Sequence, residues 1–224
     1  MKMKLSLATA LYSLLLLAGC TDGASEPGAE SESEVAASEA ITDLDTEPVV
    51  PIVTDVTADM VVYDYRYDSM DRGNYDYYEK EVVIDPSYYE ENEFARGDVI
   101  AYKDSIDGSF TLTRIVGLPG EKVKIESGQI YVNGKQLDTF YGRYHRRGSD
   151  LEELKNMLAE GEYGFMQSKE NIEANVSIAE KTDVEEVTVP EDHFYVIGDD
   201  WFRTQFRGLL SPEQIVGKVL GYDS

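Results

Sequence analysis

One cysteine, one tryptophan, two histidines and only 20 lysines and arginines stand against 44 aspartates and glutamates in this chain of 224 residues. A lone cysteine, Cys20, excludes an internal disulfide. With only His145 and His193, no His/Cys cluster is available to hold a metal, and no cofactor motif is present. A formal charge of −24 without a basic stripe excludes nucleic acid as a partner, because phosphates would be repelled and no counterions released. No apolar run is long enough to span a bilayer comfortably; the longest, near the N-terminus, has roughly fifteen residues. At this length the chain makes one folded unit once an export signal and an acidic segment are set aside.

What is present begins with MKMKLSLATALYSLLLLAGC, two lysines followed by an apolar run and small residues before Cys20. That is the layout of a secretory signal. Leu17-Ala18-Gly19-Cys20 also resembles the bacterial lipobox, which implies cleavage before Cys20 and its acylation. Small residues directly before a lone cysteine favour lipidation over an ordinary cleaved signal. The expected location is therefore the cell membrane, lipid-anchored and facing outside the cytoplasm.

From Thr21 to Val56 there is no lysine, arginine or aromatic residue, and Ser, Ala, Glu, Asp and Pro dominate. The composition predicts an acidic disordered linker over 21–56, able to reach roughly 30 to 35 Å as a flexible coil. A folded domain over 57–224 follows, with an insertion over 142–187. Its fold class is mainly β, built of short, mostly antiparallel strands. Val61–Tyr63, Val82–Ile84, Asp98–Tyr102, Phe110–Val116, Lys122–Ile125 and Gln129–Val132 are strand-like, and Asn133-Gly134 is a hairpin turn. One short helix is predicted inside the insertion: Ser149 and Glu152 form a capping-box pattern, Leu151, Leu154 and Leu158 share a face, and Gly161 stops it. The acidic stretch from Gly164 to Glu186 is expected at the surface, before strand character returns over Val187–Ile197.

Two blocks carry a family resemblance. The first runs Arg96-Gly97-Asp98-Val99-Ile100 and then Thr111-Leu112-Thr113-Arg114-Ile115-Val116-Gly117-Leu118-Pro119-Gly120-Glu121. The second is Val189-Pro190-Glu191-Asp192-His193-Phe194-Tyr195-Val196-Ile197-Gly198-Asp199-Asp200, followed by Ile215-Val216-Gly217-Lys218. Both resemble the bacterial type I signal peptidases, which implies that family's β-fold. In that family a serine attacks the peptide carbonyl while a buried neutral lysine accepts its proton. Thr113 stands in the lysine's place, and a threonine hydroxyl is no base near neutral pH.

The family's Ser-Met-x-Pro-Thr motif is matched only by Ser69-Met70, followed here by Asp71-Arg72-Gly73. Ser69 is the candidate nucleophile, or else a polar loop residue. By position, the resemblance gives supporting roles to Met70, Arg114, Gly198, Asp199 and Asp200, and lets Thr204 replace a supporting serine. The segment after Asp200, Trp201 to Gly208, is about three residues shorter than the family pattern. Lys103, which strand alternation puts on one face with Val99 and Ala101, is a candidate to replace the base, while His193 and His145 read as structural or surface residues. Adjacent Asp199 and Asp200 point apart on a strand end and suit turn and arginine pairing better than a metal. Arg143, Arg146 and Arg147 bind either anionic lipid or the protein's own carboxylates, the second being favoured. The tyrosine-rich stretch from Tyr63 to Tyr89 packs the sheet or lines a peptide groove.

Three readings follow. The resemblance implies a membrane-tethered serine endopeptidase cutting secretory precursors with Ser69, its substrate bound as an added strand. The loss of the lysine implies instead a catalytically impaired member that binds extended peptides or serves a structural role. A self-cleaving domain like that of SOS repressors would need the same missing base, and export opposes it.

Overall fold

The computed structural model describes residues 40–104 and 108–223; the signal, Cys20 and most of the expected linker lie outside them. In chain order the elements are β1 (Ile52–Val53), β2 (Val61–Tyr65), β3 (Lys80–Asp85), a single helical turn α1 (Tyr88–Glu91), β4 (Val99–Lys103) and β5 (Phe110–Gly117). There follow β6 (Lys122–Glu126), β7 (Gln129–Val132), β8 (Lys135–Gln136), β9 (His145–Arg146), β10 (Ser149–Asp150), α2 (Leu151–Glu160) and α3 (Lys169–Glu180). The chain closes with β11 (Val184–Thr188), β12 (Phe194–Ile197), β13 (Gly208–Leu210) and β14 (Ile215–Asp223).

The principal sheet runs β13-β12-β5-β4-β14-β3-β2, with β1 added in parallel to the end of β14. Every pairing along that path is antiparallel. A second antiparallel sheet, β11-β6-β7-β8, carries the helices on its buried side, where Val123, Ile125, Ile130 and Val132 meet Leu154, Ile172 and Ala179. β6 and β7 show why these segments become strands: alternate side chains are buried, and Ser127-Gly128 at positive φ makes the turn between them. The mainly β, antiparallel fold class is what the sequence predicts.

The helix of the insertion is α2. Its cap lies one residue later than the Ser149–Glu152 pattern: Asp150 Oδ1 accepts from the Glu153 N–H at 3.0 Å, and Glu153 Oε2 accepts from the Asp150 N–H at 2.9 Å. Ser149 instead pairs with Arg146 in the β9–β10 ribbon. Gly161 ends the helix at φ 72°. The weakly apolar stretch beyond it holds a second helix, α3, capped by Ser168 and anchored through Ile172, Asn175 and Ala179.

The expected linker gives way to ordered chain well before Val56. Ile41 bridges to Leu137, Asp43 Oδ1 accepts from the Thr46 N–H at 3.0 Å, and Asp43 Oδ2 accepts from the Tyr141 hydroxyl at 2.6 Å. Residues 40–53 therefore form a strap across the domain. The strap fits because Gly97, at φ 92°, has no Cβ; one built there would collide with Thr46 Oγ1 and Asp43 Oδ2. Among the described residues no helix is long and apolar enough to cross a membrane.

Candidate active site

Ser69 lies in the loop that leaves β2 and is only 2% exposed. Its position follows from where β12 stops. The Ile115 N–H donates to the Asp98 carbonyl, so alternate residues of β5 address β4, and the Leu112 carbonyl points to the other side. The last β12–β5 pair is Ile197–Arg114, so beside Leu112 that edge is free of β12. Ser69 fills the gap: its hydroxyl donates to the Leu112 carbonyl at 3.4 Å, and its own carbonyl accepts from the Asp200 N–H at 2.9 Å. Met70 is fully buried in the core formed with Tyr65, Val99, Ala101 and Leu112.

One step past the Ile197–Arg114 pair, Gly198 is level with Thr113, which itself pairs with Ile100. A Cβ at Gly198 would come within 2.7 Å of the Ser69 carbonyl oxygen and 2.8 Å of Thr204 Oγ1. Thr204 Oγ1 accepts from the Gly198 N–H at 3.0 Å. Opposed residues share a face of a sheet, so Thr113, Gly198, Thr204 and the Ser69 backbone gather on one side of β5 and β12. The Thr113 side chain is buried there, and its hydroxyl has no hydrogen-bond partner.

The remaining partner of the Ser69 hydroxyl is Tyr65, whose hydroxyl lies 2.9 Å away. With Ser69 donating to Leu112, the phenol donates to Ser69. Burial pushes the Tyr65 phenol up, so it stays protonated at neutral pH and cannot act as a base. Among the described residues no side-chain nitrogen hydrogen-bonds Ser69. Lys103 pairs with Phe110 at the exposed end of β4, three positions along β5 from Thr113. His193 precedes β12 and binds Asp192, while His145 Nδ1 lies 3.0 Å from the Arg143 carbonyl. Burial pushes the His145 imidazole down. Among the described residues the Ser69 hydroxyl thus meets a phenol and a main-chain carbonyl, and no side-chain base. Tyr65 escapes sequence reasoning because nothing distinguishes it from the other tyrosines around it.

Asp199 and Asp200 serve different partners. Asp199 receives both Nε and Nη2 of Arg114, at 2.7 and 2.6 Å, with both side chains buried; Arg114 Nη1 also donates to the Gly97 carbonyl at 2.7 Å. Burial alone would lower the Arg114 guanidinium, but the Asp199 carboxylate raises it overall. Asp200, fully buried, accepts from Arg146 Nη1 at 2.7 Å and from the Arg147, Phe202 and Arg203 N–H groups at 3.1 Å. Burial pushes its carboxyl up against the opposing pull of Arg146. The basic cluster pairs with the protein's own carboxylates: Arg143 meets Asp138 and Asp150 at the surface, Arg146 meets buried Asp200, and Arg147 meets buried Asp71. Among the described residues no three His, Cys, Asp or Glu side chains converge as metal ligands.

The sequence has known relatives. Signal peptidase I U of Bacillus subtilis (strain 168) is 25% identical over 140 residues, covering 61% of this chain and 62% of that protein. Signal peptidase IB of Staphylococcus aureus (strain Mu50 / ATCC 700699) is 28% identical over 141 residues, covering 62% and 65%. The chain thus spans somewhat less than two thirds of the length of either relative. A signal peptidase I structure from Enterococcus faecalis V583 aligns with 57% of this chain and 97% of its own at 22% identity, with a TM-score of 0.37. The model of the signal peptidase, peptidase S26 family matches residues 51–221, from β1 through most of β14 and across Ser69, Thr113 and Asp199. That match takes in most of the chain, which therefore belongs to the signal peptidase family, peptidase S26.

Proposed function

We propose that this protein is a catalytically impaired member of its family, lipid-anchored through Cys20 outside the cytoplasm, that binds extended peptides or secretory precursors without cutting them. The observation that carries this reading is the setting of the Ser69 hydroxyl: buried, partnered by the Tyr65 phenol and the Leu112 carbonyl, with Thr113 where the family's lysine stands. A serine protease needs a group that takes the hydroxyl proton as the bond to the carbonyl forms, and threonine cannot do so. The peptide-binding part of the reading rests on membership of the family, whose fold reads its substrate as an added β-strand.

The test incubates the full-length chain with a peptide spanning a secretory cleavage site, small residues at alternate positions, and recovers the bound fraction for mass spectrometry. Intact peptide retained by the native chain supports the reading. Cleavage confined to Thr113→Lys would show a working groove that lacks only its base. The active-protease alternative, with Ser69 as nucleophile, would instead show cut peptide from the native chain, abolished by Ser69→Ala.

A further inference from the structure

Residues 40–53 are tied to the domain at both ends. The Ile41 N–H donates to the Gln136 carbonyl at 2.8 Å and the Ile41 carbonyl accepts from the Asp138 N–H at 2.8 Å, while Ile52 and Val53 pair in parallel with Tyr222 and Asp223. The route suits this segment: a Cβ at Gly221, where φ is 147°, would lie 2.1 Å from the Pro51 carbonyl oxygen. Burial holds the strap only lightly. Leu44, Val49 and Ile52 are 88%, 74% and 59% exposed, and a cavity of about 580 Å³, lined by Val49 and Val50 together with Val99 and Val219, lies beneath it. A segment fixed by a few polar contacts and little apolar burial opens ahead of the rest of a domain.

Between those ends, two contacts of the strap lead to Ser69. The first is Arg72, whose Nη1 donates to the Pro48 carbonyl at 2.9 Å and whose guanidinium lies 4.1 Å from the centre of the Phe140 ring. Arg72 directly follows the turn that holds Ser69, which the Asp71 N–H closes by donating to the Asp68 carbonyl at 3.1 Å. The second is Asp43, which accepts from the Tyr141 hydroxyl. The Tyr141 and Phe140 rings lie 5.2 and 5.0 Å from the Arg114 guanidinium. Arg114 in turn holds Asp199, and the neighbouring Asp200 N–H donates to the Ser69 carbonyl at 2.9 Å. Residues 66–79 have no strand or helix of their own and carry Tyr75, Tyr77 and Glu79 at positive φ. Such backbone persists only while its surroundings over-determine it, so the loop depends on ties to its neighbours.

We propose that residues 40–53 are a latch on the Ser69 loop, so that docking of the strap and ordering of residues 66–79 are one equilibrium. Docked, the strap keeps the loop in the arrangement that buries Ser69. Released, it frees Arg72 and the Tyr141 hydroxyl together; the loop and the Gly198–Asp200 turn then loosen, and Ser69 meets solvent. The coupling is reciprocal, since whatever opens the loop weakens the strap by the same factor. A pull on the chain from its N-terminal side reaches Ile41 before any other pairing of the described residues, which makes the latch the part of the fold that responds to it. The latch does not depend on whether the site holds, cuts or ignores a peptide, so it stands apart from the proposed function.

The test is hydrogen–deuterium exchange of the full-length chain, read by mass spectrometry over residues 41–50, 68–78 and 198–204, with α3 as the reference. Asp43→Ala acts on the strap and Arg72→Gln on the loop. Either substitution is expected to speed exchange in all three segments by about fivefold or more, the factor that one lost hydrogen bond corresponds to, and to leave α3 unchanged. Unchanged exchange over 68–78 in Asp43→Ala, or over 41–50 in Arg72→Gln, overturns the proposal, because each contact is then local. An equal rise in α3 overturns it as well, since the strap would then support the whole domain. Tyr141→Phe removes only the hydroxyl that Asp43 accepts from and keeps the ring beside Arg114, so it repeats the strap arm should Asp43→Ala fail to fold.

Discussion

The Tyr65 hydroxyl lies 2.9 Å from Ser69 Oγ, both groups buried, so the candidate nucleophile is held by a phenol that stays protonated at neutral pH. Tyr65→Phe removes one buried hydrogen bond without opening a cavity and should cost about 1 kcal/mol in urea denaturation. It should leave peptide cleavage undetectable, since it supplies no base. Activity appearing in Tyr65→Phe would show that the phenol masks a serine already competent for attack.

The Arg114–Asp199 pair ties β5 to the segment after β12 through two bonds of 2.7 and 2.6 Å. Removing one partner strands the other charge in the interior, so Arg114→Met should destabilise by about 3–5 kcal/mol. Arg114→Met combined with Asp199→Leu should recover much of that loss. Denaturation of both variants checks the difference; equal losses would mean that the pair is not the source.

His145 is buried, and its imidazole titrates below its ordinary 6.5 chiefly because burial disfavours the cation. Between the lowered folded value and 6.5 the unfolded chain binds more protons than the folded one, so stability rises with pH across that window and falls on acidification through it. Comparing urea midpoints of the native chain and His145→Gln at about pH 7.5 and 5.5 should show a smaller loss in the variant. An identical loss would place the titrating group elsewhere.

The strap depends on Asp43, which accepts from Tyr141 and Thr46. Asp43→Ala should cost about 1–2 kcal/mol and expose residues 40–53 to proteolysis ahead of the rest of the domain. Cutting that begins elsewhere would show that the strap is held by its pairing to β14 and Leu137 and by Arg72 at the Pro48 carbonyl, without need of Asp43.

Legibility in the sequence followed the physics of each element. β4 to β7 could be read because alternating apolar residues and glycine-containing turns are local signals, and the structure places their ends within a residue or so of the predicted ones. The strap could not. Its composition lacks aromatic and basic residues, and it is fixed by backbone pairing, by Asp43 and by the Arg72 guanidinium at the Pro48 carbonyl, none of which composition registers. α3 escaped because only Ile172, Asn175 and Ala179 are buried, too thin a stripe to stand out in an acidic stretch. Motif positions single out Ser69, Thr113, Gly198 and Asp199; the structure sets the first three beside one another and pairs Asp199 with Arg114. Tyr65 and the Leu112 carbonyl were not legible, because contacts between the β2 loop and β5 arise only in the folded sheet.

The most direct measurement of the central claim, that Ser69 has no proton acceptor, compares the native full-length chain with Ser69→Ala on a secretory precursor, followed by mass spectrometry. The expected result is an uncut precursor with both, and no difference between them over long incubation. Cleavage by the native chain that Ser69→Ala abolishes would contradict it and establish an active protease with a base supplied from elsewhere.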